Sequence, residues 1–149
     1  MTGADLRVVA AGRTLTGTAL PDDFPDYRRL LRKAVGERPA AYRIPVDVAA
    51  LRAALADPAA PTVARDHGGG PLAVTVLGLD DDGGLRLLPA ADLSTDAVRV
   101  GVNGDYLLDA LDAAGAPQLV LELDGPVAPL AVRRPDDADT FSVLMPIRL

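Results

Sequence analysis

A chain of 149 residues, 49% of them hydrophobic, is long enough to bury one core and short enough that a single domain is expected. The absence of cysteine excludes disulfides and thiolate zinc sites; with no basic leader before an apolar core and no apolar run long enough to cross a bilayer, a cytoplasmic protein is expected. Fifteen basic residues against 21 acidic ones leave a net charge of −6, so the chain lacks the overall positive footprint of a tight nucleic-acid binder.

Residues 6–10 and 14–20 read as strands paired around Ala11-Gly12-Arg13, with Thr14, Thr16 and Thr18 alternating against apolar or small neighbours. Pro21-Asp22-Asp23 ends this hairpin, and Phe24-Pro25-Asp26-Tyr27-Arg28-Arg29-Leu30-Leu31 comes next. Residues 41–45 form a short strand, and the spacing of Val48, Leu51 and Leu55 predicts a helix over 46–56, with Asp47 near its start and Asp57-Pro58 at its stop. Residues 59–70, which contain Pro61 and Gly68-Gly69-Gly70, read as a loop. A hairpin of 72–79 and 85–88 turns at Asp80-Asp81-Asp82-Gly83-Gly84. After a strand at 98–102, Asn103 is placed to cap a helix over 105–114, with Leu107, Leu108 and Leu111 on its apolar face and Gly115 just beyond its end. Strands at 119–123, 130–133 and 141–145 complete the sheet.

Catalytic chemistry finds little to work with. Asp80-Asp81-Asp82 offers oxygen ligands to a divalent cation, but it lacks the distal Glu of a calcium loop, and a hairpin turn accounts for it. His67 could act as a general base, yet no nucleophile stands out beside it, and a solvated loop histidine is the plainer reading. The triple glycine lacks the Lys-Ser/Thr of a phosphate loop and reads as a loop tip. No enzyme activity, cofactor or metal is therefore expected.

The end of the chain is more informative. Ser142-Val143-Leu144-Met145-Pro146-Ile147-Arg148-Leu149 is apolar enough to need burial or a partner, whereas chain ends usually fray. Pro146 removes a backbone donor, so the last three residues cannot continue as a central strand and must turn or ride an edge.

Four landmarks stand in order: the segment Phe24 to Leu31, Val102-Asn103-Gly104-Asp105-Tyr106-Leu107-Leu108-Asp109-Ala110-Leu111, the turn Asp124-Gly125-Pro126-Val127-Ala128-Pro129-Leu130, and the terminal run. Together they resemble the C-terminal domain of the β sliding clamp of bacterial DNA polymerase III, over about Leu6 to Leu149. The resemblance implies an α+β DNA-clamp (processivity-fold) domain, a curved antiparallel sheet with two helices on one face. It implies that residues 1–20 are a hairpin resembling the end of a preceding clamp domain, and that 21–149 are the C-terminal-like domain.

The resemblance also implies a site. In the family, a pocket for short linear peptides of polymerases and the clamp loader would have Pro25, Arg29 and Leu30 on one wall, Val127 and Pro129 beside them, and Val143, Met145, Pro146, Ile147 and Arg148 on the other. Met and Ile offer adaptable apolar surface for Leu and Phe anchors, and Arg can hold a carboxylate or carbonyl. The family's helices face DNA and carry basic residues, whereas here Arg52 is the only basic residue on either predicted helix, so weak, non-specific contact with duplex DNA is expected at most. A family ring contains six such domains, so a homo-oligomer or other clamp domains are implied as partners. The resulting expectation is a replication processivity factor or tether; the alternative is a regulatory adaptor that keeps the clamp fold without encircling DNA.

Overall fold

The computed structural model describes residues 5–19, 26–29, 39–66, 70–94 and 98–149. The first strands, β1 (Asp5–Ala10) and β2 (Arg13–Thr18), pair from Asp5 opposite Thr18 to Ala10 opposite Arg13. Ala11 and Gly12 turn the chain with φ of 48° and 75°, the doubly left-handed geometry whose twist suits a two-residue hairpin. Arg13, expected in the turn, is therefore already in the ladder. The pair makes a sheet of its own, and all its strand residues are exposed, Leu6, Val9 and Leu15 by more than half. Residues 27–29 form a helical turn opened by Asp26, whose Oδ1 accepts the Arg29 N–H at 3.1 Å.

From Tyr42 onward a strand, a helix and three strands occur twice. The first half is β3 (Tyr42–Asp47), α1 (Val48–Ala56), β4 (Val63–Asp66), β5 (Pro71–Leu79) and β6 (Leu85–Leu87). The second is β7 (Arg99–Asn103), α2 (Gly104–Ala114), β8 (Gln118–Leu123), β9 (Leu130–Arg134) and β10 (Asp137–Leu144), after a 3₁₀ turn at Ala90–Ser94. The halves exchange their first strands. β3 lies on β8, with Ile44 opposite Leu121, in a sheet ordered β10-β9-β8-β3. β7 lies on β5, with Leu77 opposite Val100, while β4 and β6 share the other edge of β5. The α+β architecture is as expected, with these strands arranged as two four-stranded antiparallel sheets.

Strand alternation selects the inner face. Leu119, Leu121 and Leu123 of β8 are at most 2% exposed and meet Ile44, Val46, Leu130, Val132 and Leu144 from the neighbouring strands. α1 adds Leu51 to this cluster, and α2 adds Leu107, Ala110 and Leu111. Leu108, expected on that face, is half-buried instead, because positions i, i+3 and i+4 of a helix share one side and Ala110 takes the place. Each fully buried Leu contributes roughly 1.5–3 kcal/mol.

β5 is buried on both faces. Leu77 joins the helix-side cluster, while Val74 and Val76 belong to a second one with Val63 and Leu88, packed against Leu72, Leu93, Ile147 and Leu149. On the outer face of the other sheet, Glu122 accepts Arg43 Nε at 3.2 Å and Arg133 Nε at 2.7 Å, and the Arg133 guanidinium lies 4.4 Å from the Phe141 ring centre. One carboxylate thus ties β3, β8 and β9 together.

Three further sequence expectations are corrected. Val46 and Asp47 extend β3, opposite Leu119 and Gln118, and the helix starts at Val48. Pairing with β8 overrides the helical spacing there, and Asp47 becomes the cap: its Oδ1 accepts the Ala50 N–H at 2.8 Å and its Oδ2 accepts Gln118 Nε2 at 2.8 Å. Within the expected loop 59–70, residues 63–66 form β4, a strand with little pattern of its own that exists because Val63 to Asp66 meet Val74 to Pro71. β10 begins at Asp137, has an irregular register between Asp137 and Phe141, and ends at Leu144 rather than at Met145. Asn103 caps α2 as expected, its Oδ1 accepting the N–H groups of Asp105 at 2.9 Å and Tyr106 at 3.3 Å.

Because the β1–β2 hairpin places no residue in either cluster, removing residues 1–19 is expected to leave the cooperative unfolding of the remainder intact. Calorimetry should find the midpoint within about 2–4 °C of the parent, the shift produced by roughly 1 kcal/mol in a domain of this size.

Candidate functional site

The terminal run departs from its sheet at Leu144, which is opposite Leu130 and 7% exposed. Met145 and Pro146 carry the chain across to the second sheet, where the Ile147 N–H donates to the Gly101 carbonyl at 2.8 Å in an antiparallel bridge. The end of the chain therefore rides the free edge of β7, as the missing donor of Pro146 requires. Gly101 makes this approach possible. A Cβ there would stand 2.8 Å from the Ile147 carbonyl oxygen and 2.7 Å from Leu149 Cδ2. Ile147 and Leu149 then cover the second cluster, so this segment is structural as well as exposed.

Beside the crossing lies a groove of about 810 Å³. One wall is the flank of α2, formed by Tyr106, Asp109, Ala110 and Ala113 with Asn103 at the helix start. The other is the run from Ser142 to Ile147, with Leu72 from β5 between them. The spacing i, i+3, i+4, i+7 puts the α2 residues on one stripe, next to the Leu107, Ala110 and Leu111 face that enters the core. Ala110 and Ala113 are small, which leaves the groove open, while Tyr106 and Met145 stand 66% and 56% exposed at its rim. The volume is that of an ordinary ligand pocket, apolar with a few polar groups.

The expected pocket residues distribute unevenly over this geometry. Val143, Met145, Pro146 and Ile147 line the groove. Arg148 is exposed and is not among the lining residues. Val127, 65% exposed, and the half-buried Pro129 also lie off the lining, in the turn leading into β9. Arg29 is exposed, and Pro25 and Leu30 lie outside the described residues. Asn103, Tyr106 and Asp109 were not anticipated as site residues. The available signal was an aromatic residue followed by alanines one and two turns later on the helix flank, a pattern that cannot be told from ordinary surface without knowing where the terminal segment lies.

The surface of the two helices is acidic. α1 carries Arg52, and α2 carries Asp105, Asp109 and Asp112. Arg52 forms an ion pair with Asp112, so the cation expected to face DNA is already engaged. Asp80, first of the acidic triplet, spends its carboxylate on the turn, where Oδ1 accepts the N–H groups of Asp82 at 3.1 Å and Gly84 at 2.6 Å. Among the described residues no group of three or more His, Cys, Asp or Glu side chains could hold a metal ion, and His67 lies outside them. At the far end of β10 from the groove, Arg134 forks onto Asp136 and holds that carboxyl below the usual range, and Thr140 does the same for Asp137 by hydrogen bonding. No helix among the described residues is long and apolar enough to cross a membrane.

The two roles of the terminal segment should separate by substitution. Gly101→Ala is expected to displace it, costing about 1–3 kcal/mol by forced repacking. Ile147→Ala is expected to cost about 1–2 kcal/mol through lost cover on Val74 and Val76. Met145→Ala should stay within about 0.5 kcal/mol, as exposed positions do. Urea unfolding of the three variants measures this order.

No protein-family model matches the chain, and no curated protein sequence does. Solved structures do. The DNA polymerase sliding clamp of Pseudomonas aeruginosa, with a ligand, superposes with a TM-score of 0.65 at 22% identity, over 97% of this chain and 40% of the clamp. The sliding clamp of Bartonella birtlesii bound to griselimycin gives 0.62 at 20% identity, over 97% and 39%. That of Bacillus subtilis gives 0.61 at 17% identity, over 100% and 40%. The chain thus spans about 40% of the length of these clamps. At this level of identity the likeness establishes the fold: the chain folds as a domain of the bacterial DNA sliding clamp.

Proposed function

We propose that the chain is a clamp-fold, non-catalytic module that docks short linear peptides of polymerase or clamp-loader type and serves DNA replication as a processivity factor or tether. The observation that carries this reading is the groove in which Val143, Met145, Pro146 and Ile147 face Tyr106 and Asn103 across an apolar floor. An exposed aromatic ring beside an exposed, adaptable Met is the kind of surface on which a few side chains supply most of the binding energy. Arg29 and the turn residues Val127 and Pro129 belong to the rim of this site in the proposal, with Pro25, Leu30 and Arg148. The hairpin of residues 1–20, whose strands β1 and β2 lie exposed in a two-stranded sheet, closes the sheet of a neighbouring clamp domain in this reading. Encircling DNA needs further clamp domains, since the chain covers 40% of a solved clamp.

A second reading has one specific observation in its favour. The Arg52–Asp112 pair and the acids of α2 leave the helix surface without a free cation among its described residues, which suits a regulatory adaptor that keeps the clamp fold but does not grip DNA.

A peptide in which Gln is followed by Leu and then by a Leu-Phe pair is expected to bind with a Kd on the order of tens of micromolar or weaker. Its amide NMR shifts should cluster at Asn103, Tyr106 and residues 143–147. Tyr106→Ala should weaken it by roughly tenfold, the effect of losing an aromatic anchor. Shifts elsewhere, or none at millimolar peptide, would remove the groove reading. In gel shifts at physiological salt the chain alone should bind linear duplex DNA with a Kd no tighter than about 10⁻⁶ M; clearly tighter binding would count against the adaptor reading.

A further inference from the structure

The groove is apolar along its floor but not neutral at its rim. Asp109 sits on the α2 stripe between Tyr106 and Ala113, opposite the terminal segment, and is exposed. Among the described residues no ion pair or side-chain hydrogen bond engages its carboxylate. This sets it apart from Asp112, one turn further along α2 and paired with Arg52, and from Asp47, which is spent on capping α1. The neighbouring polar groups do not offset it. Asn103 has its Oδ1 committed to the backbone of α2, and Ser142 is uncharged. The terminal cation, Arg148, is not among the lining residues. An unpaired negative charge therefore borders a cleft sized for apolar side chains, on a chain of net charge −6 that repels further acids at longer range.

Resting on the groove as a peptide site, we propose that Asp109 sets its charge preference: the segment it takes from a partner protein carries a Lys or Arg next to the apolar anchor, and an acidic residue at that position binds more weakly. The apolar floor cannot make this distinction, because an uncharged wall reads the apolar stem of a side chain and not the sign of the charge at its tip. A carboxylate at the rim can, since opposite charges attract and like charges repel across the same few ångströms. Exposure keeps the effect modest, on the order of threefold in Kd for each sign of charge, and so roughly tenfold between the two.

The test uses the whole chain and three peptides that share one Leu-Phe anchor and differ at a single flanking position, Lys, Gln or Glu. Calorimetry or NMR titration at about 50 mM salt should rank them Lys, Gln, Glu, and the spread should shrink at about 500 mM as screening shortens the range of the interaction. Asp109→Asn should narrow the Lys-to-Glu ratio, and Asp109→Lys should invert it. Asp81→Asn, in the β5–β6 turn, removes the same unit of charge elsewhere and should leave the ratio as it is. Equal affinities for all three peptides would overturn the charge preference while leaving the groove reading in place. A preference unaltered by Asp109→Lys would assign it to another residue and overturn the proposal as well. Failure of every peptide to bind at millimolar concentration would overturn the groove reading and this one with it.

Discussion

The close approach of backbone to backbone at Gly101 is the contact on which the rest of the site depends. With only hydrogen on that Cα, the terminal segment comes near enough for the Ile147 N–H to reach the Gly101 carbonyl at 2.8 Å, and the same approach lays Ile147 and Leu149 over Val74 and Val76. One edge of the groove is in this way bound to the core. A segment that would otherwise fray becomes a wall, held by a hydrogen bond and by buried apolar area together. Met145 and Pro146 are exposed and half-buried because they bridge two anchored points, Leu144 in one sheet and Ile147 on the other.

That arrangement works because the two halves of the chain are interlocked. Each half of strand, helix and three strands gives its first strand to the other's sheet, so β3 completes the β8–β10 sheet and β7 completes the β5 sheet. Neither half can close its own hydrophobic face alone, and α1 and α2 bury Leu51, Leu107 and Leu111 against strands from both. α2 follows β7 directly, and β7 carries Gly101, so the helix flank and the edge that receives the chain end are positioned by the same few residues. Groove geometry is a consequence of core geometry.

Among the described residues, several charges are spent locally. Glu122 is shared by Arg43 and Arg133, Arg52 is held by Asp112, Arg134 by Asp136, and Arg86 meets Asp92 at 3.4 Å. Apart from the part-buried Glu122–Arg133 contact, these are exposed pairs, which contribute little stability, typically below about 1 kcal/mol each. Their larger consequence is for recognition. A cation already facing a carboxylate is a poor phosphate ligand, and the helix surface that would have to face DNA is left with an excess of acid. The charge that remains available beside the groove is negative.

Much of this was legible in residue order, and the boundary has a physical cause. Helix α2 could be read apart from Leu108 and its first residue because its information is local: Asn103 caps, Leu107 and Leu111 repeat at helical spacing, and Gly115 ends it with φ of 60°. The β5–β6 hairpin, the strands β8 and β9 and the turn chemistry of Asp80 to Gly84 are likewise local, and the landmarks that resemble a sliding clamp pointed to the fold. What required tertiary structure was everything decided by a distant partner. β4 is a strand because β5 is beside it, Val46 is in β3 rather than in a helix because Leu119 is opposite, and β10 stops at Leu144 because the chain must cross to β7. The groove is of the same kind. Residues 143–147 declared themselves by apolarity, but Tyr106 and Asp109 became its other wall only through the docking at Gly101, 46 positions before Ile147, and no local pattern encodes a contact of that separation.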